Sequence, residues 1–329
     1  MNWLLKAAAQ KALSAVPAAE RANYVFQRRV TRSLPVGTAG AKRKFARALA
    51  HFAAFRSHVP QVPSERAVFY EFGAGWDLLV QLSYVSLGVG RQIVVDIRPN
   101  VRLELVNESL ATFAAIRPEL EREAGQELRD LGPANLDSLQ ELESRFGIVY
   151  RAPADARATG LPAGCVDFVS STNTLEHVPR DDIALLLAEC VRLLRPEGVM
   201  SFRIDLQDHS SYGDQSVSAY NFLRFSERRW RLVSSKLSYQ NRLRYPDYVD
   251  LFREAGLEIV AESLARPSDD ELQALERLEL APEFRAYSLD DLAIRSLEVV
   301  VRPALPHGAQ EPEDVARRRG PRVRPGASA

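Results

Sequence analysis

Two acids and two glycines at a fixed spacing are the residues of this chain best placed to do chemistry. The run Val68-Phe69-Tyr70-Glu71-Phe72-Gly73-Ala74-Gly75-Trp76-Asp77 is apolar and strand-forming up to Glu71, then turns through Gly73 and Gly75, whose backbones tolerate positive φ and admit a ligand closely. About twenty residues later Ile93-Val94-Val95-Asp96 is a second apolar run ending in an acid, where a carboxylate can accept from ribose hydroxyls. Together they read as two strands whose ends hold a nucleoside. A structural strand and turn that bind nothing would satisfy the same pattern.

Two kinds of nucleoside ligand compete for such a loop. The dinucleotide fingerprint Gly-x-Gly-x-x-Gly uses a third glycine for close helix packing and aims a helix N-terminus at a pyrophosphate. Here Leu78 holds that last position, and Glu71 and Asp77 would bracket the pyrophosphate with negative charge. S-adenosylmethionine carries a sulfonium and an ammonium and no phosphate, so acids beside the loop suit it better.

Transfer of an activated methyl group needs a nucleophile that is aligned and relieved of its proton. In Ile204-Asp205-Leu206-Gln207-Asp208-His209, His209 is the candidate general base, with Asp205 or Asp208 orienting it, because imidazole titrates near neutrality. The same run would also serve as a polar loop with an Asx turn. Beyond it lies the densest aromatic and amide stretch of the chain, from which Tyr212, Tyr220, Asn221 and Asn241 are taken as acceptor-binding candidates. A tyrosine offers an apolar face and one polar tip, which suits a sugar or a phenol, although core packing competes for these side chains.

An α/β scaffold must position them. Strand patterns recur at 147–150, 166–171 and 199–205, and a helix at 183–194 is stopped by Pro196-Glu197-Gly198. Alternation of this kind means a doubly wound, mostly parallel sheet with helices on both faces. Residues 257–262 and 292–301 read as a terminal antiparallel pair. Helical patterns at 103–116, 120–131 and 136–146 make an insertion of about 101–146, longer than one crossover requires and placed to cover one side of the ligand site. Residues 18–62 read as irregularly helical, with Phe45, Leu49, Phe52 and Phe55 on one face. The expected organisation is a helical cap over 1–62, a main domain over 63–303 and a disordered tail over 304–329.

Lys plus Arg and Asp plus Glu both total 43 in 329 residues, which argues against a general nucleic-acid partner. Cys165 and Cys190 form no Cys-x-x-Cys pair and read as reduced, buried packing residues of a cytoplasmic protein. No apolar run reaches the roughly eighteen residues that a membrane span needs. Residues 1–16 form an apolar helical face striped by Lys6, Gln10 and Ser14, read as packing on the protein's own body, with peripheral membrane contact as the alternative.

With these motifs assembled, residues 66–301 resemble the class I S-adenosylmethionine-dependent methyltransferases. The resemblance implies a seven-stranded sheet with a reversed last strand, a glycine loop at Gly73 and Gly75, Glu71 organising the methionine amine through backbone or water, and Asp96 on the ribose. Ala154-Asp155-Ala156 matches the segment whose aspartate accepts from the adenine amine. Asn173-Thr174-Leu175-Glu176-His177-Val178-Pro179 resembles the Leu-Glu-His segment of small-molecule O-methyltransferases, which puts Asn173 and His177 beside the cofactor. Some relatives hold a divalent metal with two acids and this histidine. Here Asn173 stands at the first acid's position, so no metal ligand is assigned. Asp77 replaces the third glycine of the commonest loop. The runs 23–29, 218–224 and 241–248 are similar to bacterial methyltransferases of surface-glycan pathways.

The expectation is an enzyme that moves a methyl group from S-adenosylmethionine to a hydroxyl of a small-molecule acceptor, with a glycan or glycolipid precursor foremost. Methylation of a carboxyl or nitrogen, which needs no general base, is the first alternative. A cofactor-binding regulatory protein without turnover is the second.

Overall fold

The computed structural model describes residues 24, 25, 27–29, 34–214, 216–234 and 239–304. The expectations for the helix at 1–16 and for the tail beyond 304 lie outside them. β1 (Val68–Phe72), β2 (Arg91–Val95), β3 (Ile148–Arg151), β4 (Val166–Thr172) and β5 (Leu194–Asp205) pair in parallel, while β7 (Ser296–Pro303) is antiparallel to both β5 and β6 (Leu257–Ala265). The sheet order is β3-β2-β1-β4-β5-β7-β6, so the seven strands and the reversed last one stand as expected. Strand order reverses between β1 and β4, and a sheet of this kind opens its ligand crevice beyond the carboxyl ends at that point.

Side chains alternate across the sheet. Phe69 and Phe168 face helices α1 (Thr38–His58), α2 (Leu79–Ser86) and α3 (Leu103–Ala124), whereas Tyr70, Phe72 and Val169 face α5 (Arg180–Leu193) and α7 (Tyr245–Glu254). β4 is buried on both faces because helices cover both. The stripe expected on α1 is real: Phe45, Phe52 and Phe55 are buried, and Phe55 meets Phe69 edge-on at 4.9 Å and Phe168 at 5.7 Å. Removing such a ring from a packed core costs about 3–5 kcal/mol.

Several element boundaries differ from the sequence reading. α3 runs unbroken from Leu103 to Ala124 through Pro118, because Phe113, Ile116 and Leu120 are buried on either side of it. The penalty of an interior proline, about 3 kcal/mol, is outweighed by that burial. Gly125, at φ 64°, ends the helix. Residues 126–140 are not helical, so the expected helix over 120–131 is half replaced by loop, and α4 is only Glu141–Phe146. That loop is pinned by Asn107, whose amide both donates to Leu136 O and accepts from Leu136 N–H. β5 begins at Leu194 directly after α5, and residues 196–198 form a bulged entry to the strand and not a separate turn. Residues 292 and 293 belong to α9 (Leu289–Ala293), so β7 starts four residues later than the expected strand. Of the two cysteines, Cys190 is buried and Cys165 only partly so.

A third hydrophobic cluster lies outside the two main cores. It gathers Tyr220, Phe222, Leu223, Trp230, Leu275, Phe284 and Leu292 from the turn before α6 (Glu227–Val233), from α6, α8 (Asp269–Glu276) and α9, and from the turn between the last two. Arg244 ties this lobe to the sheet. Fully buried, it donates to Leu206 O, Leu292 O and Ile294 O at 2.7–2.9 Å.

His51 clamps α1 to the sheet: its Nδ1 is 2.7 Å from Ser201 Oγ on β5 and its Nε2 is 3.2 Å from Thr172 Oγ1 on β4. Burial, reinforced by the charges of Arg203 and Arg47, pushes its pKa down to about 3. The unfolded chain takes up this proton near 6.5, so the folded state loses stability as pH falls from 6.5 towards about 3. In urea denaturation followed across that window, His51→Gln should lose stability less steeply than the unsubstituted protein. Equal slopes would show that His51 does not carry the linkage.

Candidate cofactor and acceptor site

The loop after β1 is built as the glycines require. Gly73 and Gly75 sit at φ 85° and 69°. Gly73 donates to Val95 O at 2.9 Å, which binds the loop to β2. A Cβ on Gly73 would stand 2.3 Å from Thr174 Oγ1, so the turn after β4 touches the loop. At the end of β2, the Asp96 carboxylate accepts from Arg98 N–H at 2.9 Å, and the nearby amides of Ala74 and Gly75 favour its charged form. Burial raises its pKa in spite of these bonds.

Helix α2 opens without the third glycine, because Leu78 itself takes the left-handed conformation at φ 51°. Asp77 caps Leu79 N–H at 3.1 Å, and Lys44 of α1 donates to both of its oxygens at 2.7 Å. This corrects the charge argument drawn from sequence: Asp77 is neutralised by Lys44 and does not present a bare negative charge to a ligand. Glu71 lies below the loop, 3 % exposed, near Gln81 and Lys44. Burial pushes its pKa up to about 8, and Oε2 has no partner.

The loop after β3 reaches the same crevice, with Ala154 N–H bonded to Asp96 O at 2.9 Å. Asp155 stands there, but Arg157 grips its carboxylate through Nε and Nη2 and also pairs with Asp182, which holds Asp155 below the usual carboxylate range. An adenine amine would share that carboxylate with Arg157. On the open side of the loop, Tyr24 stacks on Trp76 with centroids 5.6 Å apart, and Arg102 lies over both rings. Tyr24 donates to Glu104 and Arg28 to Glu108, each at 2.8 Å. Part of the N-terminal region is thus docked beside the glycine loop. Neither Trp76, Lys44 nor Thr174 stood out in the sequence, because each acts through a partner distant along the chain.

Across the crevice, the ends of β4 and β5 bring together Asn173, Glu176, His177, Asp205, His209 and Tyr212. Asn173 adopts φ 53° with a buried, unpartnered Oδ1. Glu176 is 1 % exposed, both carboxylate oxygens lack partners, and burial holds its pKa well above the usual range. The His177 ring packs edge-on against His209 at 4.9 Å, and its Nδ1 is 2.7 Å from Tyr239 O. Desolvation and the neighbouring imidazole lower its pKa. His209 Nε2 lies 3.4 Å from Asp205 Oδ2 without an aligned hydrogen bond. Tyr212 donates to the same oxygen at 2.5 Å. Burial raises the Asp205 pKa, but contacts with His209 and Tyr212 outweigh it and leave the group below its ordinary value.

Four expected site residues are committed elsewhere. Asp208 is 1 % exposed, and its carboxylate accepts from Ser210 N–H at 2.8 Å and from Asn221 Nδ2 at 2.9 Å, so it caps a turn and does not orient His209. Asn221 is correspondingly spent on Asp208. Tyr220 is buried in the third cluster with its hydroxyl on Ala293 O at 2.9 Å. The Asn241 amide donates to Leu175 O and Val178 O at 2.8 and 2.9 Å, clamping the turn that carries Glu176 and His177. Of the acceptor-binding candidates only Tyr212 faces outward, at 63 % exposure.

Residues 128–202 match the family model of the methyltransferase domain. The protein carries an S-adenosylmethionine-dependent methyltransferase domain. No curated protein matches the chain. Among solved structures it is similar to a proposed sarcosine dimethylglycine methyltransferase from Galdieria sulphuraria, at 18% identity over 81% of this chain and 87% of that one, with a TM-score of 0.43. It is also similar to the 1,6-didemethyltoxoflavin-N1-methyltransferase of Burkholderia thailandensis, at 16% identity over 87% and 88% of the two chains, with a TM-score of 0.44. An S-adenosylmethionine-dependent methyltransferase from Mesorhizobium loti aligns at 17% identity over 77% and 99%, with a TM-score of 0.39. Among the described residues of the methyltransferase, no helix is long and apolar enough to cross a membrane.

Asp96→Ala removes the carboxylate at the end of β2 that is expected to meet the ribose. By isothermal titration it should weaken S-adenosylhomocysteine binding by about 2 kcal/mol, the scale of losing one partner of a charged hydrogen bond. Unchanged affinity would remove Asp96 from the cofactor site.

Proposed function

We propose that this methyltransferase transfers the methyl group to a hydroxyl oxygen of a small-molecule acceptor, with His209 taking the hydroxyl proton. The observation that carries the reading is the position of His209 Nε2: without an aligned partner, 3.4 Å from Asp205 Oδ2, at the carboxyl end of β5. In the transfer a carbon–oxygen bond forms as the carbon–sulfur bond breaks, and its electron pair stays on sulfur to give S-adenosylhomocysteine. The proton leaves the hydroxyl for Nε2, and the Asp205 carboxylate stabilises the imidazolium that results. Glu71, Gly73, Gly75, Asp96, Asp155, Asn173 and His177 are the residues proposed to line the cofactor. The expected sugar-binding face loses its support, since Tyr220, Asn221 and Asn241 serve packing and turns, which leaves Tyr212 at the mouth.

A second reading rests on a separate observation. Glu176, His177 and His209 can each point one ligand atom so that all lie within 4.8 Å of one another, and both Glu176 oxygens are buried without partners. One carboxylate and two imidazoles are a donor set for a transition-metal dication more than for magnesium. When bound, such an ion would polarise the acceptor hydroxyl and ease its deprotonation.

Mass spectrometry of hydroxyl-bearing acceptors incubated with labelled S-adenosylmethionine tests the transfer. His209→Ala should lower turnover about 10²- to 10⁴-fold with S-adenosylhomocysteine affinity nearly unchanged. Chelator-sensitive turnover restored by manganese or zinc, together with an equal loss in His177→Ala, would favour the metal reading. Turnover indifferent to both substitutions and to chelator would turn the assignment to a carboxyl or nitrogen acceptor.

A further inference from the structure

Helix α1 carries four basic residues over two turns, and only half of them are paired. Lys42 pairs with Glu119 and Lys44 with Asp77. Arg43 and Arg47, one turn apart on the same helix face, make no hydrogen bond or ion pair among the described residues. Both line a groove of about 660 Å³ that runs past Pro35, Val36, Gly37 and Gly40 and is open at Gly37, where a side chain would meet nothing within 4 Å. Among the described residues, the other cation on that groove, Lys44, is already held by Asp77.

Arg47, on this groove, is near enough to Asp205 and Tyr212 for their charges to act on it. Arg47 also borders the cleft between α1 and β5 beside Ser201 and Arg203, and it feels the charges of Asp205 and Glu176. It contacts neither carboxylate. Asp205 is occupied by Tyr212 and Gln207 N–H, and Arg203 by Glu298. A partly buried guanidinium kept off its nearest acids lacks the compensation that desolvated charge requires. An incoming anion would supply it. Two guanidinium forks offer parallel N–H donors whose geometry fits the oxygens of a phosphate or a carboxylate.

We propose that Arg43 and Arg47 seat an anionic group, phosphate or carboxylate, of the methyl acceptor, and so hold its hydroxyl towards His209. This rests on the hydroxyl-transfer reading and adds to it the acceptor's charge class. The groove supplies binding and orientation, while Asp205 and His209 supply the proton chemistry. An acceptor anchored at one end by charge and at the other by its reacting oxygen has little freedom left, which is what alignment for transfer demands.

The test titrates the full-length protein, saturated with S-adenosylhomocysteine, with inorganic pyrophosphate in one arm and succinate in the other. At least one probe should bind, and the stronger of the two identifies phosphate or carboxylate as the recognised group. Arg43→Ala and Arg47→Ala should each weaken that binding about tenfold or more, the size expected for loss of a charged hydrogen bond. Arg47→Lys should recover part of it, whereas Arg122→Ala, exposed on α3, should change nothing. Binding of neither probe, or binding unaltered in Arg43→Ala and Arg47→Ala, would overturn the proposal. The same titrations report S-adenosylhomocysteine affinity, so failure at the cofactor undermines the transfer reading and failure at the anion alone undermines only the arginine groove.

Discussion

Gly73 and Thr174 occupy a space that admits no side chain on the first of them. With the Gly73 Cβ position 2.3 Å from Thr174 Oγ1, and φ at 85°, any other residue there would be strained and would also push the turn after β4 away. The contact matters because it joins the two turns proposed to make up the site. One carries Gly75 beside Asp96, the proposed cofactor side, and the other presents Asn173, Glu176 and His177. Gly73 N–H on Val95 O adds the end of β2 to the same junction. A methyl group moves only between atoms in contact, so under the proposed assignment the distance between these two loops would govern transfer.

Around that junction, some polar groups are matched by neighbours and others are not. On the glycine-loop side Asp77 is matched by Lys44, Asp155 by Arg157 and Asp96 by Arg98 N–H, while Glu71 Oε2 has no partner. At the ends of β4 and β5, Glu176, Asn173 Oδ1 and His209 Nε2 are buried without partners, and Arg47 makes no ion pair among the described residues. Buried polar atoms are nearly always bonded, so their gathering at the ends of β4 and β5 makes that end of the sheet the candidate ligand site.

Helix α1 joins these halves. Its phenylalanines bury it against the sheet, His51 bolts it to β4 and β5, Lys44 reaches the glycine loop, and Arg43 and Arg47 face the groove. In the sequence only the phenylalanine stripe was legible, since hydrophobic spacing is a local property and charge pairing is not. The same limit explains Pro118. Read locally it breaks a helix, but burial of Phe113, Ile116 and Leu120 carries the helix through it.

The sequence by itself determined the strands, their alternation with helices, the antiparallel ending and the loop at Gly73 and Gly75. Period, glycine freedom and strand-end acids are all written within a few consecutive residues. Only the tertiary structure decided what each polar side chain is for. Asp205 and Asp208 are indistinguishable in the run 204–209, yet one faces His209 and Tyr212 while the other is closed off by Ser210 and Asn221. Tyr220 and Asn241 read as ligand-facing until their partners, Ala293 O and the carbonyls of Leu175 and Val178, are seen. A carboxylate or an amide takes its role from the donors and acceptors it meets in space, and those come from residues tens of positions away.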